Sequence, residues 1–130
     1  MVENIFIHDG KNHQIKNAEQ MNPDNSDEFC LIPEFEKYVI NGYGAVWSLY
    51  RKCFIKHFIN VSDYKIVMLH KNHSQKAKSI HYLLAGLFIP NPNNYKFVVF
   101  KDDNKENTYY KNLEWSETQT KRKPINSWKK

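Results

Sequence analysis

The chain has 130 residues, of which 41% are hydrophobic and 15% aromatic, enough apolar material for one compact domain. No apolar run reaches the roughly 18–20 residues of a membrane span, and the N-terminal sequence lacks the basic and apolar blocks of a secretory signal. Cys30 and Cys53 stand far apart, which disfavours both a disulfide framework and a zinc ribbon. We expect a soluble, intracellular protein with no membrane partner.

The net charge of +5 is unevenly distributed along the chain. Residues 1–36 carry two lysines against eight acidic residues, a balance of −6, whereas residues 37–130 carry seventeen Lys and Arg against six acids, a balance of +11. A body this basic attracts polyanions, and nucleic acid is the commonest polyanion in a cell. The alternative is a lysine-rich composition that reflects an AT-rich genome and no binding role.

Residues 1–28 predict a β-hairpin arm followed by an acidic linker. Asp9-Gly10 lies between two short alternating runs within residues 3–16, and this dipeptide favours a two-residue hairpin turn because both positions need positive φ. Residues 17–28 are polar, acidic and contain a proline, which predicts an exposed linker. An isolated hairpin is marginal in water, so the arm should lie against the body or form a homodimer through residues 1–28.

Residues 29–78 predict a small, twisted antiparallel sheet. Tyr38 and Ile40 alternate on one face of a strand, a glycine-containing turn follows, and residues 46–49 resume as a second strand. Further β-branched and aromatic runs follow at residues 52–59 and 64–70. His70 and His73 have a spacing that metal sites use, yet no third ligand stands nearby, so we predict ordinary polar residues and no metal ion.

Residues 79–123 predict a helix, a turn, a strand, a polar loop and a last helix. The first helix ends near Phe88, a Pro/Asn turn follows, and the strand spans residues 96–100. An Asn-Leu-Glu-Trp sequence at residues 112–115 then leads into the last helix, which Pro124 ends. Residues 124–130 form a basic tail.

Two sequence blocks resemble the HNH homing endonucleases of phages and introns. LIPEFEKYVINGYGAVWSL, from Leu31, resembles the nuclease-associated modular domain that precedes HNH modules. IHYLLAGLFIPNPNNYKFVVFKDDNKENTYYKNLEW, from Ile80, resembles the HNH module itself. The resemblance covers roughly residues 31–120 and implies an α+β fold, in which a small antiparallel sheet precedes a ββα-metal (HNH/His-Me finger) module. It also implies a viral or mobile-element origin and a location in the cytoplasm, the nucleus or a viral particle.

The resemblance implies a catalytic centre, but this chain has other residues at the key positions of that centre. HNH enzymes use a histidine as general base and one divalent cation. The polar loop and residues 112–115 fix the alignment, which places the base position at Phe100, the first metal-ligand position at Val99 and the helix ligand at or near Lys121. A phenyl ring accepts no proton, valine supplies no oxygen, and an ammonium group repels a cation.

These replacements predict a pseudo-endonuclease that is not an enzyme and needs no cofactor. Its function is then to bind double-stranded DNA, mainly through phosphates. One alternative is an oligomeric structural or interaction protein that uses its acidic arm for subunit contacts. Another is a live nuclease in which Asp102 and Asp103 bind Mg²⁺ in a shifted geometry.

The remaining matched positions imply a scaffold, with histidine packing and amides that tie the loop. The predicted structural residues are His81, Asp102, Asn104, Asn112 and Trp115. Candidate phosphate contacts are basic residues at strand ends, turns and loops. They are Arg51, Lys52, Lys56, Lys65, Lys71, Lys76, Lys78, Lys101, Lys105, Lys111, Arg122 and Lys123. Each alone is more often a solvated surface charge, and only clustering on one face would make them a site.

Overall fold

The computed structural model of the protein describes residues 3–6 and 12–118. These residues form three mainly antiparallel sheets, one α-helix and one short 3₁₀ helix. The predicted Asp9-Gly10 turn, the last helix and the basic tail lie outside the described residues, and so do Lys121, Arg122 and Lys123. In the described part, no helix is long and apolar enough to cross a membrane.

The first sheet has six strands that lie side by side in sequence order. They are β1 (Glu3–Phe6), β2 (Asn12–Ile15), β3 (Glu28–Ile32), β4 (Phe35–Ile40), β5 (Val46–Ser48) and β6 (Cys53–Phe54). The pairs are antiparallel except β2 with β3, which is parallel. A parallel step needs a crossover of about a dozen residues, and residues 16–27 supply it. The N-terminal hairpin is therefore part of the main sheet.

Most side chains of residues 17–28, the predicted exposed linker, are exposed, but the segment is also fixed to the body by a few contacts. Met21 is 6% exposed and belongs to the main hydrophobic core. The Glu28 carboxylate accepts a hydrogen bond from the Asn22 backbone N–H at 2.7 Å and lies 3.2 Å from the Lys16 ammonium. The polar composition of this segment gave no signal for the burial of Met21 or for these internal partners.

The turn after β4 shows why the crossover can approach so closely. A Cβ atom on Gly42 would lie 2.1 Å from the Pro23 carbonyl oxygen, so only glycine leaves room for the crossover backbone. Gly44 has a φ of +94°, a conformation that side chains disfavour, and its Cα faces Ile80 and Thr108. The turn thus joins the crossover to the C-terminal half of the chain.

The second sheet has three antiparallel strands, β7 (Phe58–Ile59), β8 (Lys65–Lys71) and β9 (Ser74–Ser79). The prediction of one sheet through residues 29–78 is therefore wrong, because β6 and β7 pair with different neighbours. β9 was missed in the sequence because its residues are polar and mostly exposed, which leaves no alternating apolar pattern. β9 continues directly into α1 (Ile80–Phe88), the helix that the sequence predicted.

The third sheet pairs β10 (Phe97–Phe100) with β11 (Leu113–Ser116) in an antiparallel hairpin. Residues 112–115, predicted to lead into the last helix, comprise the end of a 3₁₀ helix (Tyr110–Asn112) and most of β11. Pairing with β10 places Leu113 in the core, at 2% exposure, and the Trp115 indole N–H donates to the Ile89 carbonyl oxygen at 3.0 Å. The chain after residue 118, which holds most of the predicted helix, is outside the described residues.

One hydrophobic core joins all three sheets to α1. It contains Ile32 from the first sheet, Leu69 from the second, Val98 and Leu113 from the third, and Leu84 from the helix. Full burial of such a side chain is worth about 1.5–3 kcal/mol, so each sheet is stabilised by the others. The predicted α+β fold class is confirmed.

Candidate functional site

Two of the three positions that the resemblance assigns to catalysis lie inside the core, and the third, Lys121, is outside the described residues. Val99 is 6% exposed and Phe100 is 5% exposed, both on β10. The Phe100 ring contacts the His81 ring at a centroid distance of 5.1 Å and the Tyr64 ring at 6.1 Å. A cluster of aromatic rings therefore occupies the base position.

His81 lies in the first turn of α1 and is 2% exposed. Its ring stacks on Tyr64 at 4.7 Å with an interplanar angle of 24°. Burial lowers the pKa of His81 to about 4, and the charge of Lys105 adds to the effect, so the imidazole is neutral at pH 7. The predicted packing is present, but Nδ1 has no hydrogen-bond partner among the described residues.

The loop after β10 is held by side-chain amides around Asp102. The Asp102 Oδ1 accepts from the Asn104 backbone N–H at 2.8 Å and from the Asn112 side-chain amide at 2.9 Å, and Oδ2 accepts from Asn107 at 3.0 Å. The hydrogen bond from Asn107, followed by those from Asn104 and Asn112, lowers the pKa of Asp102. The Asn104 side chain also accepts from the Glu106 backbone N–H at 3.1 Å, which extends the brace along the loop.

The described residues do not fit the divalent cation that an HNH centre implies. In the ranges 3–6 and 12–118, no three His, Cys, Asp or Glu side chains are grouped so that they could hold a metal ion. Both carboxylate oxygens of Asp102 already accept hydrogen bonds within the loop. The shifted site proposed for Asp102 and Asp103 therefore has no further ligand of these types among the described residues.

Basic side chains gather instead in a groove between the first and second sheets. We call it the basic groove; it consists of two adjoining depressions of about 440 Å³ and 480 Å³ that share Tyr38, Arg51 and His70. Its cationic lining residues are Lys37, Arg51, Lys56 and Lys71. None of the described residues that line it is acidic. The groove is thus a concave surface of one charge sign.

Three of the predicted phosphate contacts line this groove: Arg51, Lys56 and Lys71. A fourth, Lys78, lies near Lys71 on the same phenyl ring. The ammonium groups of Lys71 and Lys78 lie 5.8 Å and 5.5 Å from the centroid of the Phe35 ring. Sequence reasoning missed Lys37, whose ammonium lies 5.4 Å from the Tyr50 ring. The sequence gives no signal that separates Lys37 from other exposed lysines, because its place in the groove depends on how the two sheets pack.

The other predicted contacts lie elsewhere. Lys52, Lys65 and Lys76 do not line the groove, and Lys101 is exposed in the loop after β10. The Lys105 ammonium donates to the Ser62 carbonyl oxygen at 2.8 Å, and Lys111 lies 3.1 Å from the Asp24 carboxylate.

Asp24 ties the acidic crossover to the C-terminal half of the same chain. Its carboxylate accepts from the Tyr109 hydroxyl and pairs with Lys111, while its backbone carbonyl accepts from the Tyr43 hydroxyl at 2.8 Å. The Tyr109 hydrogen bond and Lys111 together lower the pKa of Asp24. Asp24 and Glu28 therefore find basic partners within their own chain. Subunit pairing through residues 1–28 remains a prediction.

Comparison with known proteins finds that the chain is similar to HNH endonucleases. No protein-family model matches the chain. It is 40% identical over 78 residues to one uncharacterized HNH endonuclease of Acanthamoeba polyphaga mimivirus and 34% identical over 89 residues to a second. These alignments cover 60% and 68% of this chain but only 24% and 22% of the relatives.

A phage protein and a solved structure extend the similarity. The H-N-H endonuclease F-TflII of Escherichia phage T5 is 30% identical over 89 residues, which is 67% of this chain and 46% of that protein. The HNH homing endonuclease I-HmuI, whose structure concerns DNA binding and cleavage, matches with a TM-score of 0.63 and 30% identity. That match covers 68% of this chain and 52% of the I-HmuI chain.

These relatives contradict the prediction that the chain is not an enzyme. All of them are named as endonucleases. That prediction rested on the replacements at Val99, Phe100 and Lys121.

Proposed function

The chain belongs, over 68% of its length, to the HNH homing endonuclease family, and on this premise we propose that it binds double-stranded DNA, mainly through phosphates, in its basic groove. The observation that carries the proposal is the groove itself. Four cationic side chains line it, and its described lining residues include no carboxylate. The aligned regions make up only 24%, 22% and 46% of these relatives, so this function is proposed for the chain in hand.

The cations of the groove are available to an external anion. None of the described ion pairs involves Lys37, Arg51, Lys56 or Lys71. The contacts of Lys37 and Lys71 with aromatic rings leave their charges in place. A concave surface of one charge concentrates the field, which attracts a polyanion and speeds its association.

The groove suits the DNA backbone better than a small anion. Its lysines reach individual phosphates as point charges, and the Arg51 guanidinium can hold one phosphate through two parallel hydrogen bonds. Each phosphate neutralised releases counterions, so affinity should fall steeply as salt concentration rises. The two depressions together offer several contacts along one path, as a polymer of phosphates requires.

A salt titration of DNA binding tests the proposal. Fluorescence anisotropy with a short labelled duplex gives Kd between about 50 and 200 mM salt, where the slope of log K against log salt is about −0.9 per phosphate contact. We expect the triple variant Lys37→Gln, Lys56→Gln, Lys71→Gln to bind more weakly. Its slope should be less steep, by an amount that corresponds to up to about three phosphate contacts.

A charge-matched control separates the groove from net charge. The triple variant Lys52→Gln, Lys65→Gln, Lys76→Gln removes the same charge from exposed or half-exposed positions outside the groove. Equal losses in both variants would show that the groove is not the binding face. Absence of binding by the parent chain at low salt would refute the function itself. A plasmid-nicking assay with Mg²⁺ on the same samples shows whether the bound DNA is also cut.

A further inference from the structure

A second, smaller pocket lies at the beginning of α1, away from the basic groove. It has a volume of about 250 Å³. Its polar and aromatic lining comes from the start of the helix and from the connection between β7 and β8: Ser79, His81, Tyr82, Asn60, Ser62 and Tyr64. We call it the α1 pocket. It shares no lining residue with the groove.

The positive end of the α1 dipole is open at this pocket. The first N–H groups of a helix have no partner within the helix and carry the positive end of its dipole. The N-cap residue, Ser79, makes no side-chain capping bond, and the first turn contains no acidic residue. A nine-residue helix that starts without a cap or a counter-charge favours an anion near its first turn.

His81 supplies an independent sign that a partner is missing. Its side chain is 2% exposed, it lines the α1 pocket, and its Nδ1 has no hydrogen-bond partner among the described residues. Buried ring nitrogens are almost always hydrogen-bonded, because an unmet polar group lowers stability. A group that accepts from Nδ1 would remove this cost.

Lys105 adds a fixed positive charge beside the pocket. Its ammonium donates to the Ser62 carbonyl oxygen at 2.8 Å and lies 4.6 Å from the Tyr64 ring centroid, so two lining residues hold it. It is close enough to contribute to the lowered pKa of His81. No acidic side chain lines the pocket within the described part of the chain. Although Asp63 lies between the lining residues Ser62 and Tyr64 in the chain, the described lining residues carry no negative charge to repel an anion.

We propose that the α1 pocket binds one phosphate group, held by the open N-terminus of α1, by His81 and by Lys105. Tetrahedral phosphate has enough acceptor oxygens for backbone N–H groups, an imidazole N–H and an ammonium together. The phosphate comes either from the DNA backbone or from a free phosphate. The site does not depend on the basic groove, because free phosphate can be tested without DNA.

Solution NMR with inorganic phosphate is the direct test. In the parent chain, phosphate should shift the backbone amides of residues 80–82 and the His81 ring, and should raise the pKa of His81 because an anion stabilises the imidazolium. Lys105→Gln should weaken this binding about tenfold or more, as should His81→Phe, which retains a stacked ring. Lys76→Gln, the control, should leave the phosphate affinity unchanged.

The outcomes separate the source of the phosphate from the existence of the site. If a short duplex shifts the same amides and free phosphate competes with it, the DNA backbone is the ligand; if free phosphate binds and the duplex does not, the ligand is a free phosphate. Shifts that are absent at residues 80–82 with both probes would overturn the proposal, as would equal weakening by Lys76→Gln. Because Lys105 is partly exposed, its variant tests the site even if His81→Phe fails to fold.

Discussion

Polar groups in the loop and strand around Phe100 are bonded to neighbouring residues. By contrast, the charged groups of the basic groove have no ion-pair partner among the described residues. Around Phe100, aromatic rings pack on one another, and the Asp102 carboxylate is satisfied by three neighbouring residues. In the groove, four cations face one concave surface and form no ion pair within the described chain. The first region is organised for stability, whereas the second leaves its charge available to a partner. Substitutions should therefore affect folding in one region and binding in the other.

The largest effect on folding should follow Phe100→Ala. The ring is 5% exposed and contacts both His81 and Tyr64, so its removal opens a cavity in the core. We expect the free energy of unfolding to fall by about 3–5 kcal/mol, measured by urea denaturation. Phe58→Ala, at a ring that is 45% exposed, is the control and should cost much less. Similar losses in the two variants would show that the Phe100 cluster is not a stabilising core.

A pH-dependent loss of stability should come from His81. Its pKa is lowered from 6.5 to about 4 in the folded chain, so between these values the unfolded chain binds more protons. Stability should therefore fall as pH drops from 6.5 towards 4, by on the order of 3 kcal/mol, and should not change from this group above pH 6.5. Thermal unfolding against pH should show the loss in the parent chain and in His57→Gln, but less of it in His81→Phe. An identical acid profile in all three would exclude His81 as the cause.

The hydrogen bonds that hold the loop after β10 should contribute less to the free energy of unfolding. Asn112 accepts from the Asp102 backbone N–H and donates to the Asp102 carboxylate and the Asn107 carbonyl oxygen. We expect Asn112→Ala to lower the unfolding free energy by about 1–2 kcal/mol, because these groups are partly exposed and water replaces some of the bonds. Asn93→Ala, in an exposed turn, is the matched control. Hydrogen exchange in the loop at residues 101–109 should rise only in the first variant.

The smallest effect on stability should follow neutralisation of the groove. Lys37→Gln and Lys71→Gln should each change the unfolding free energy by less than about 0.5 kcal/mol, since both side chains are exposed and neither forms an ion pair. Their DNA affinity should nevertheless fall. A groove variant that loses stability but keeps its affinity would reverse the assignment of the two regions.

Some of the site was predictable because its signals are local in sequence. The glycine turn, the helix that ends at Phe88 and the strand through Phe100 each follow from periodicity or from turn residues within a few positions. The grouping of Arg51, Lys56 and Lys71 was not, because it depends on how the second sheet packs beside the first. Lys37 was missed for the same reason.

Other features could not be predicted because they depend on tertiary contacts. The composition of residues 17–28 does not show that Met21 enters the core and that Asp24 bonds to Tyr109. The sequence after Asn112 does not show that Leu113–Ser116 pair with β10 as a strand. In both cases a partner distant in sequence supplied the free energy that the local pattern lacked.

By itself, the sequence determined the α+β fold class, the resemblance to HNH endonucleases and the excess of positive charge after residue 36, since each is written in composition or in short motifs. Only the tertiary structure decided which charges share a groove and which pair with residues of the same chain. It also decided that His81 is buried at the start of a helix, with a ring nitrogen that has no hydrogen-bond partner among the described residues. Those features depend on which strands become neighbours, and strand neighbours are selected by burial in a common core, a property of the whole chain.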